Sequence, residues 1–140
     1  MNVSLHLLNA AMLINEYRQN LSVVRAREIL GTLDGKRIAV WGLAFKPGTD
    51  DVRDAPSLAV IGACLAEGAS VIAYDPLVHV LPEPFSSVRI GQSALSVLEG
   101  ADALIVMTDW PEFSAMDMKD VHAVLPAAAI IDLRGVLRRE

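Results

Sequence analysis

Apolar positions in the first thirty residues recur with the period of an α-helix. Residues 3–30 contain neither proline nor glycine, and Gly31 follows where a helix C-cap belongs. Spacings of three and four define the stripe Leu7, Ala10, Ile14, Tyr17, Leu21 and Val24. A helix of about 28 residues extends roughly 40 Å, which is more than one small domain needs. We therefore expect residues 1–31 to pack partly against a second copy or another domain; the alternative is a helix lying wholly over its own sheet.

Beyond Gly35 the pattern changes to short apolar runs that alternate with helical segments. The runs typical of buried parallel strands are 37–42, 70–76, 102–108 and 128–135, and the segments predicted as helices are 57–69 and 93–101. Residues 78–90 carry two prolines and predict a loop, with room for a short strand at 87–90. Alternating strands and helices indicate an α/β fold over residues 35–140, a Rossmann-like and mainly parallel sheet with flanking helices, preceded by the long N-terminal helix.

In such sheets ligands bind at the carboxyl ends of the strands. That rule selects four places along the chain, which are residues 45–53, 75–76, 108–110 and 132–134. Each contains polar or charged side chains directly after an apolar run. The carboxyl edge of the sheet is therefore the predicted functional edge.

Composition narrows the classes of function. The chain is 53% hydrophobic, has a net charge of −5 and contains one cysteine. The acidic balance, without a basic run, argues against nucleic acid as a partner. No apolar run is long enough to cross a bilayer, the first residues lack a signal-peptide pattern, and one cysteine allows no internal disulfide. These features favour a reducing, cytoplasmic setting.

The loop after the first strand, GLAFKPGTDDVRDAPS at 42–57, contains most of the side chains suited to binding a ligand. The dinucleotide fingerprint G-x-G-x-x-G is absent, because a single glycine follows the strand. Lys46 offers a mobile positive charge and Arg53 a planar fork, both suited to phosphate, while Phe45 could stack on a ring. The alternative is a solvated loop in which Asp51 pairs with Arg53. Asp75, at the end of the second strand, holds the position of a ribose-binding acid.

The remaining polar and aromatic candidates have simpler interpretations. Cys64 shares a helix face with apolar neighbours and has no activating cation nearby, which indicates a core thiol rather than a nucleophile. The scattered His6, His79 and His122 form no cluster of metal ligands, and we predict no metal site. The residues expected to pack or to cap turns rather than to catalyse are Trp110, Phe113, Asp102 and Asp132.

Several blocks together resemble one known family. The long signature GLAFKPGTDDVRDAP at 42–56, ADALIVMTDWPEF at 101–113 and IIDLRGVL at 130–137 are similar to the C-terminal domain of the UDP-glucose/GDP-mannose dehydrogenase family, and most of all to its bacterial UDP-glucose 6-dehydrogenases. Residues 9–29 resemble the end of the long helix that joins the two domains of those enzymes and forms their dimer core. The resemblance covers almost the whole chain.

The resemblance implies a role in an NAD-dependent oxidation of a sugar C6 alcohol to a carboxylate. By matching position, Phe45, Lys46 and Arg134 would contact the nucleotide-sugar, and Arg53 would reach NAD held mainly by an N-terminal domain. The family's NAD fingerprint and catalytic cysteine lie upstream of the matched blocks, so no catalytic residue is expected here. The implied partners are a nucleotide-sugar such as UDP-glucose, the N-terminal NAD-binding domain and a second copy. Two alternatives stay open: a free-standing NAD-binding module with Asp75 on the ribose, and a structural dimerisation piece.

Overall fold

The computed structural model describes residues 2–125 and 129–137 as a five-stranded parallel sheet with helices on both faces. The strand order is β3-β2-β1-β4-β5. The strands are β1 (Arg37–Trp41), β2 (Ser70–Tyr74), β3 (Arg89–Ile90), β4 (Ala103–Val106) and β5 (Ala129–Ile131). The helices are α1 (Asn2–Leu30), α2 (Pro56–Ala66), α3 (Pro111–Ser114) and α4 (Met118–Val124), with a 3₁₀ turn at Ser96–Leu98. The predicted α/β class and parallel sheet are confirmed.

The central apolar runs form strands that are covered on two faces. β1 lies at the centre, where Val40 is in register with Ala73 on one side and Ile105 on the other. All three are fully buried. A parallel strand buried on both sides needs near-continuous apolar sequence, which explains why these runs lack the alternation of a half-exposed strand.

The connections place helices on opposite faces of the sheet. The β1–α2–β2 connection runs in one direction along the sheet, and the β4–α3–α4–β5 connection runs in the other. Because crossovers between parallel strands are right-handed, α2 lies on one face while α3 and α4 lie on the other. On the α3 face, Trp41 stacks on Phe113 with ring centroids 5.0 Å apart. The reversal of direction between β1 and β4 is the switch point where α/β folds bind ligands.

The C-terminal part of α1 belongs to the core, but not through the predicted stripe. α1 contacts α2 and β5, and among its residues whose side chains are described the buried apolar ones are Val23 and Ala26. Leu7 and Ala10 of the stripe are exposed, and Leu21 and Val24 are only half-buried. Ile14 and Tyr17 lie outside the residues whose side chains are described. The buried face is thus displaced around the helix from the one that the spacing indicated.

The helix predicted at 93–101 is wrong, since only the 3₁₀ turn at Ser96–Leu98 forms there. Two serines explain the difference. The Ser93 backbone amide donates to Ser96 Oγ at 3.1 Å, and the Ser96 amide donates to Ser93 Oγ at 3.0 Å. Such local side-chain bonds give the backbone an alternative to helical hydrogen bonds. Gly100, with φ of 71°, then ends the segment.

Two other differences concern the segments around the last strands. The short helices α3 and α4 occupy residues for which the sequence predicted no element, and α4 begins where Asp117 accepts a hydrogen bond from the Lys119 amide at 2.9 Å. The strands are shorter than predicted because Asp75, Thr108 and Asp132 already belong to the loops that follow them. The short strand expected at 87–90 forms at Arg89–Ile90. Among the described residues, no helix combines the length and the apolarity that a bilayer crossing requires.

Candidate functional site

The carboxyl edge of the sheet brings together the loops that follow β1, β2, β4 and β5. At its centre the loop after β1 lies directly against the loop after β4. Gly42 has φ of 92°, and a Cβ atom built on it would lie 2.5 Å from Thr108 Cβ and 2.6 Å from the Thr108 backbone nitrogen. Glycine is therefore required at position 42 for two reasons, a left-handed backbone and a close approach of two loops. This glycine faces protein rather than a ligand.

Asp75 is the polar centre of this edge. Its side chain is only 1% exposed and accepts five hydrogen bonds. Oδ2 accepts from the backbone amides of Leu43 at 2.7 Å and Ala44 at 3.0 Å, and from Trp110 Nε1 at 3.1 Å. Oδ1 accepts from the amides of Leu77 at 2.8 Å and Val78 at 3.0 Å. One carboxylate thus joins three loops, and its acceptor capacity is fully used, which is how a buried charge is tolerated.

The segment that follows places Phe45 and Lys46 in solvent. The Phe45 amide donates to the Asp51 carbonyl at 2.9 Å, which closes a turn over residues 45–51. The Phe45 side chain is 54% exposed, unusually high for an aromatic residue beside a core. Lys46 is exposed, and within residues 2–125 and 129–137 its ammonium group makes no salt bridge. The turn therefore presents an aromatic face and a positive charge side by side.

Arg53 is paired with Asp51, as the alternative interpretation of the loop proposed. Arg53 Nε donates to Asp51 Oδ1 at 3.0 Å and the second guanidinium nitrogen, Nη2, to Oδ2 at 2.9 Å. The Arg53 side chain is 86% exposed. Hydrogen bonds from the Arg53 side chain and backbone lower the pKa of Asp51 to about 2. A pair this exposed is weak, so the guanidinium is available to a phosphate that competes for it.

Arg134 reaches the same edge from β5. Its guanidinium donates to the Met107 carbonyl, just past β4, at 2.8 Å. Asp132 holds the turn that carries it, because its two carboxylate oxygens accept from the Val136 amide at 3.1 Å and the Leu137 amide at 2.7 Å. The predicted turn-capping role of Asp132 is confirmed. Among the residues that the structure describes, this carbonyl is the acceptor of the guanidinium and uses only part of its donor capacity.

These contacts do not fit a complete dinucleotide site in this chain. The glycine after β1 is covered by Thr108, so no bare backbone is open to a pyrophosphate. Both oxygens of Asp75 are occupied by protein donors, which leaves no acceptor for ribose hydroxyls. The hypothesis that Asp75 binds a ribose is therefore wrong. Its position at the end of the strand was predicted correctly, but three of its five donors come from loops that are distant along the chain.

The other candidates have structural roles. Cys64 is fully buried, and burial raises the pKa of its thiol to about 11, which confirms the core interpretation. Phe113 is buried and Trp110 nearly so. The Asp102 carboxylate accepts from the Arg37 amide at 2.8 Å, at the amino end of β1. The three histidines are exposed, and within the described residues no group of three or more metal-ligating side chains comes together.

A separate concavity of about 460 Å³ lies away from this edge. It is lined by Arg37, Ile72, Arg89, Ile90, Gly91, Gln92, Ser96 and Glu99. It opens beside the 3₁₀ turn at Ser96–Leu98, next to β2 and β3. None of the candidate ligand-binding residues contributes to it.

Comparison with known proteins assigns most of the chain to the family that its sequence motifs resemble. Residues 39–139 match the model of the UDP-glucose/GDP-mannose dehydrogenase family, UDP binding domain. UDP-glucose 6-dehydrogenase AglM of Haloferax volcanii is 41% identical over 134 residues, which are 95% of this chain and 30% of that protein. UDP-glucose 6-dehydrogenase of Pseudomonas aeruginosa is 37% identical over 113 residues, 76% of this chain and 25% of that protein. The chain thus spans about a third or less of the curated relatives it matches.

Solved structures agree with the sequence match. A UDP-glucose dehydrogenase from Pyrobaculum islandicum superposes with a TM-score of 0.75 at 31% identity, covering 89% of this chain and 28% of that one. An NDP-N-acetyl-D-galactosaminuronic acid dehydrogenase from Methanosarcina mazei gives a TM-score of 0.74 at 32% identity, covering 87% of this chain and 26% of that one. With its signature loop, its fold and these similarities all in agreement, the chain belongs to the UDP-glucose/GDP-mannose dehydrogenase family, whose UDP-binding domain it contains.

Proposed function

We propose that this chain is the nucleotide-binding part of an NAD-dependent nucleotide-sugar 6-dehydrogenase, with UDP-glucose as its substrate. The observation that carries the proposal is the match of residues 39–139 to the family's UDP-binding domain, which spans the loop after β1, Asp75 and Arg134. The position of those residues at the switch point between β1 and β4 supports it, since ligands of α/β folds bind there.

Three side chains would hold the nucleotide-sugar. Lys46 and Arg134 supply positive charge for the pyrophosphate, Lys46 as a mobile point charge and Arg134 as a fork already oriented by the Met107 carbonyl. Phe45, more than half exposed, offers a flat apolar surface to a ring of the ligand. Binding of the UDP-sugar would cover this side chain and so remove apolar area from water.

Arg53 is proposed to contact the phosphates of NAD held by an N-terminal domain. To do so the guanidinium must exchange the Asp51 carboxylate for phosphate oxygen, an exchange between two charge-assisted bidentate partners. When bound to that domain, NAD would supply the hydride acceptor for the oxidation. Cys64 cannot serve as the nucleophile, because it is buried and its pKa is raised. We therefore expect this chain to be inactive when alone.

Residues 1–31 are proposed as a linker and dimerisation helix, and residues 35–140 as the nucleotide-sugar domain. Leu5, Leu7, Leu8 and Leu13 are each more than half exposed along the first half of α1. These exposed leucines suit contact with a second copy or with the N-terminal domain. Light scattering of the wild-type chain beside a Leu7→Glu variant tests this part; a dimer that the substitution dissociates is the expected result.

The test of the nucleotide-binding proposal is calorimetric titration of the chain with UDP, UDP-glucose, GDP and NAD. We expect the two UDP ligands to bind and Lys46→Ala to abolish that binding. Lys36→Ala is the matched control, because it removes the same charge at the opposite end of β1. Binding of NAD alone, weakened by Arg53→Ala more than by Lys46→Ala, would favour a free-standing NAD module instead. A chain that dimerises while no nucleotide raises its melting temperature would favour a structural dimerisation piece.

A further inference from the structure

Asp75 binds the backbone directly before the two exposed residues Phe45 and Lys46. We propose that Asp75 is a positioning residue that fixes the backbone of residues 43–46, so that Phe45 and Lys46 are presented to the nucleotide in one arrangement. This inference rests on the proposed function for its consequence in binding, but its structural part stands on the contacts of Asp75 alone.

The backbone just before Phe45 is held entirely by side chains from other elements. The amides of Leu43 and Ala44 both donate to Asp75 Oδ2. The Leu43 carbonyl accepts from Ser57 Oγ at 2.7 Å, and the Ala44 carbonyl accepts from Thr108 Oγ1 at 2.9 Å. All four polar backbone groups of two consecutive residues are thus satisfied outside any regular secondary structure, which leaves this segment little freedom.

Of the three anchoring side chains, Asp75 has the largest effect on the loop. It binds two successive amides, whereas Ser57 and Thr108 each bind one carbonyl. Its other oxygen is fixed to the Leu77 and Val78 amides, so the carboxylate itself does not move freely. Bonds to a charged acceptor are about twice as strong as neutral ones. The exposed residues begin one position later, so a displacement of the backbone at Ala44 would also displace Phe45 and Lys46.

Asp75→Asn is the sharpest perturbation. Asparagine has nearly the same shape, but all five partners of Asp75 are N–H donors, and the new amide nitrogen would face two or three of them. Whichever way the asparagine turns, either the two loop amides or the Leu77 and Val78 amides that fix the side chain lose their acceptor, so the loop is held less firmly although no cavity forms. Asp102→Asn is the matched control, because Asp102 also accepts a backbone amide at a strand end, but at the opposite edge of the sheet.

The experiment measures amide hydrogen exchange at residues 43–46 and UDP affinity in the wild-type, Asp75→Asn and Asp102→Asn chains, well below their melting temperatures. We expect Asp75→Asn to accelerate exchange at Leu43 and Ala44 at least thirtyfold and to weaken UDP binding at least tenfold. Asp102→Asn should change neither, even where it lowers the melting temperature. Trp110→Phe keeps the carboxylate and removes one of its donors, so it provides a milder variant if Asp75→Asn does not fold; an increase in exchange of at least threefold is expected.

The two proposals fail in different ways. If the wild-type chain does not bind UDP, the proposed function is refuted, while the exchange rates still decide the role of Asp75. If exchange at Leu43 and Ala44 is no faster in Asp75→Asn, or in Trp110→Phe when the first variant is unfolded, the positioning role is refuted. Equal UDP affinity of a folded Asp75→Asn chain and the wild type would also refute it.

Discussion

Replacing Gly42 by alanine tests the close approach of the two central loops. The substitution adds one methyl group at a position with φ of 92°, where it would meet three atoms of Thr108 within 2.6 Å. Two of these atoms belong to the side chain and one is the backbone nitrogen. Because the backbone atom cannot be removed by mutation, the contact can be relieved only by moving one loop.

The expected loss of stability has two parts. A non-glycine residue in the left-handed region costs about 1–2 kcal/mol. Forcing one extra carbon into a packed site costs about 1–3 kcal/mol more. Together these predict that Gly42→Ala lowers the free energy of unfolding by roughly 2–5 kcal/mol, a large fraction of the roughly 5–15 kcal/mol typical of a domain.

Gly48→Ala separates the two parts. Gly48 has φ of 84°, nearly the same as Gly42, but a Cβ atom there would have nothing within 4 Å. It therefore carries the backbone strain without the steric contact, and the effect of alanine on the unfolded chain is common to both variants. Urea unfolding followed by circular dichroism should show Gly42→Ala losing about 1–3 kcal/mol more than Gly48→Ala.

Two results would refute this reasoning. One is equal destabilisation by the two substitutions, which would mean that the loops separate without cost. The other is full rescue of Gly42→Ala by Thr108→Gly, which would mean that the side-chain atoms alone make the contact.

Three further predictions concern groups with displaced pKa values. An NMR titration should place the pKa of Asp51 at about 2, and Arg53→Ala should return it toward about 4. Because the pKa is lower in the folded state than in the unfolded state, the small stabilisation by the Asp51–Arg53 pair is present above about pH 4. It is lost as the pH falls through about 2. Cys64, with its pKa raised to about 11, should react with a disulfide reagent at pH 8 at least a hundredfold more slowly in the native chain than in urea. Burial, and after it the hydrogen bond to Glu112, raise the pKa of Tyr74 to about 12. The protonated phenol therefore favours the folded state below about pH 10, and this contribution is lost as the pH rises through 12. Glu112→Gln should lower the midpoint of the phenol in an ultraviolet titration.

The strands of the sheet could be predicted because the apolar pattern that specifies each one lies within a few consecutive residues. A strand such as β1, buried on both faces along Ile38–Trp41, must be apolar at those positions, and that requirement is visible in four consecutive residues. The carboxyl-edge rule then located Lys46, Arg53 and Arg134 without knowledge of their partners. By contrast, the displaced buried face of α1 depends on where α2 and β5 lie, which spacing along one helix does not record.

The role of Asp75 could not be predicted, because it depends on contacts between residues far apart in sequence. Its donors Leu43 and Trp110 are 32 and 35 positions away. A carboxylate at a strand end looks the same in sequence whether it faces a ribose or five backbone and indole donors. Only the folded arrangement of the three loops distinguishes a ligand-binding acid from one that is saturated by the protein.

The lengths of the outermost strands bear on how this protein behaves at high concentration. β3 has two residues and β5 has three, and these two form the edges of the sheet. An edge strand that short exposes very few unpaired backbone groups to a strand from another molecule. Pro82 and Pro84, just before β3, also lack the N–H group that such pairing requires. The short edges thereby oppose growth of the sheet from one molecule to the next, which favours the helices and loops as contact surfaces between copies.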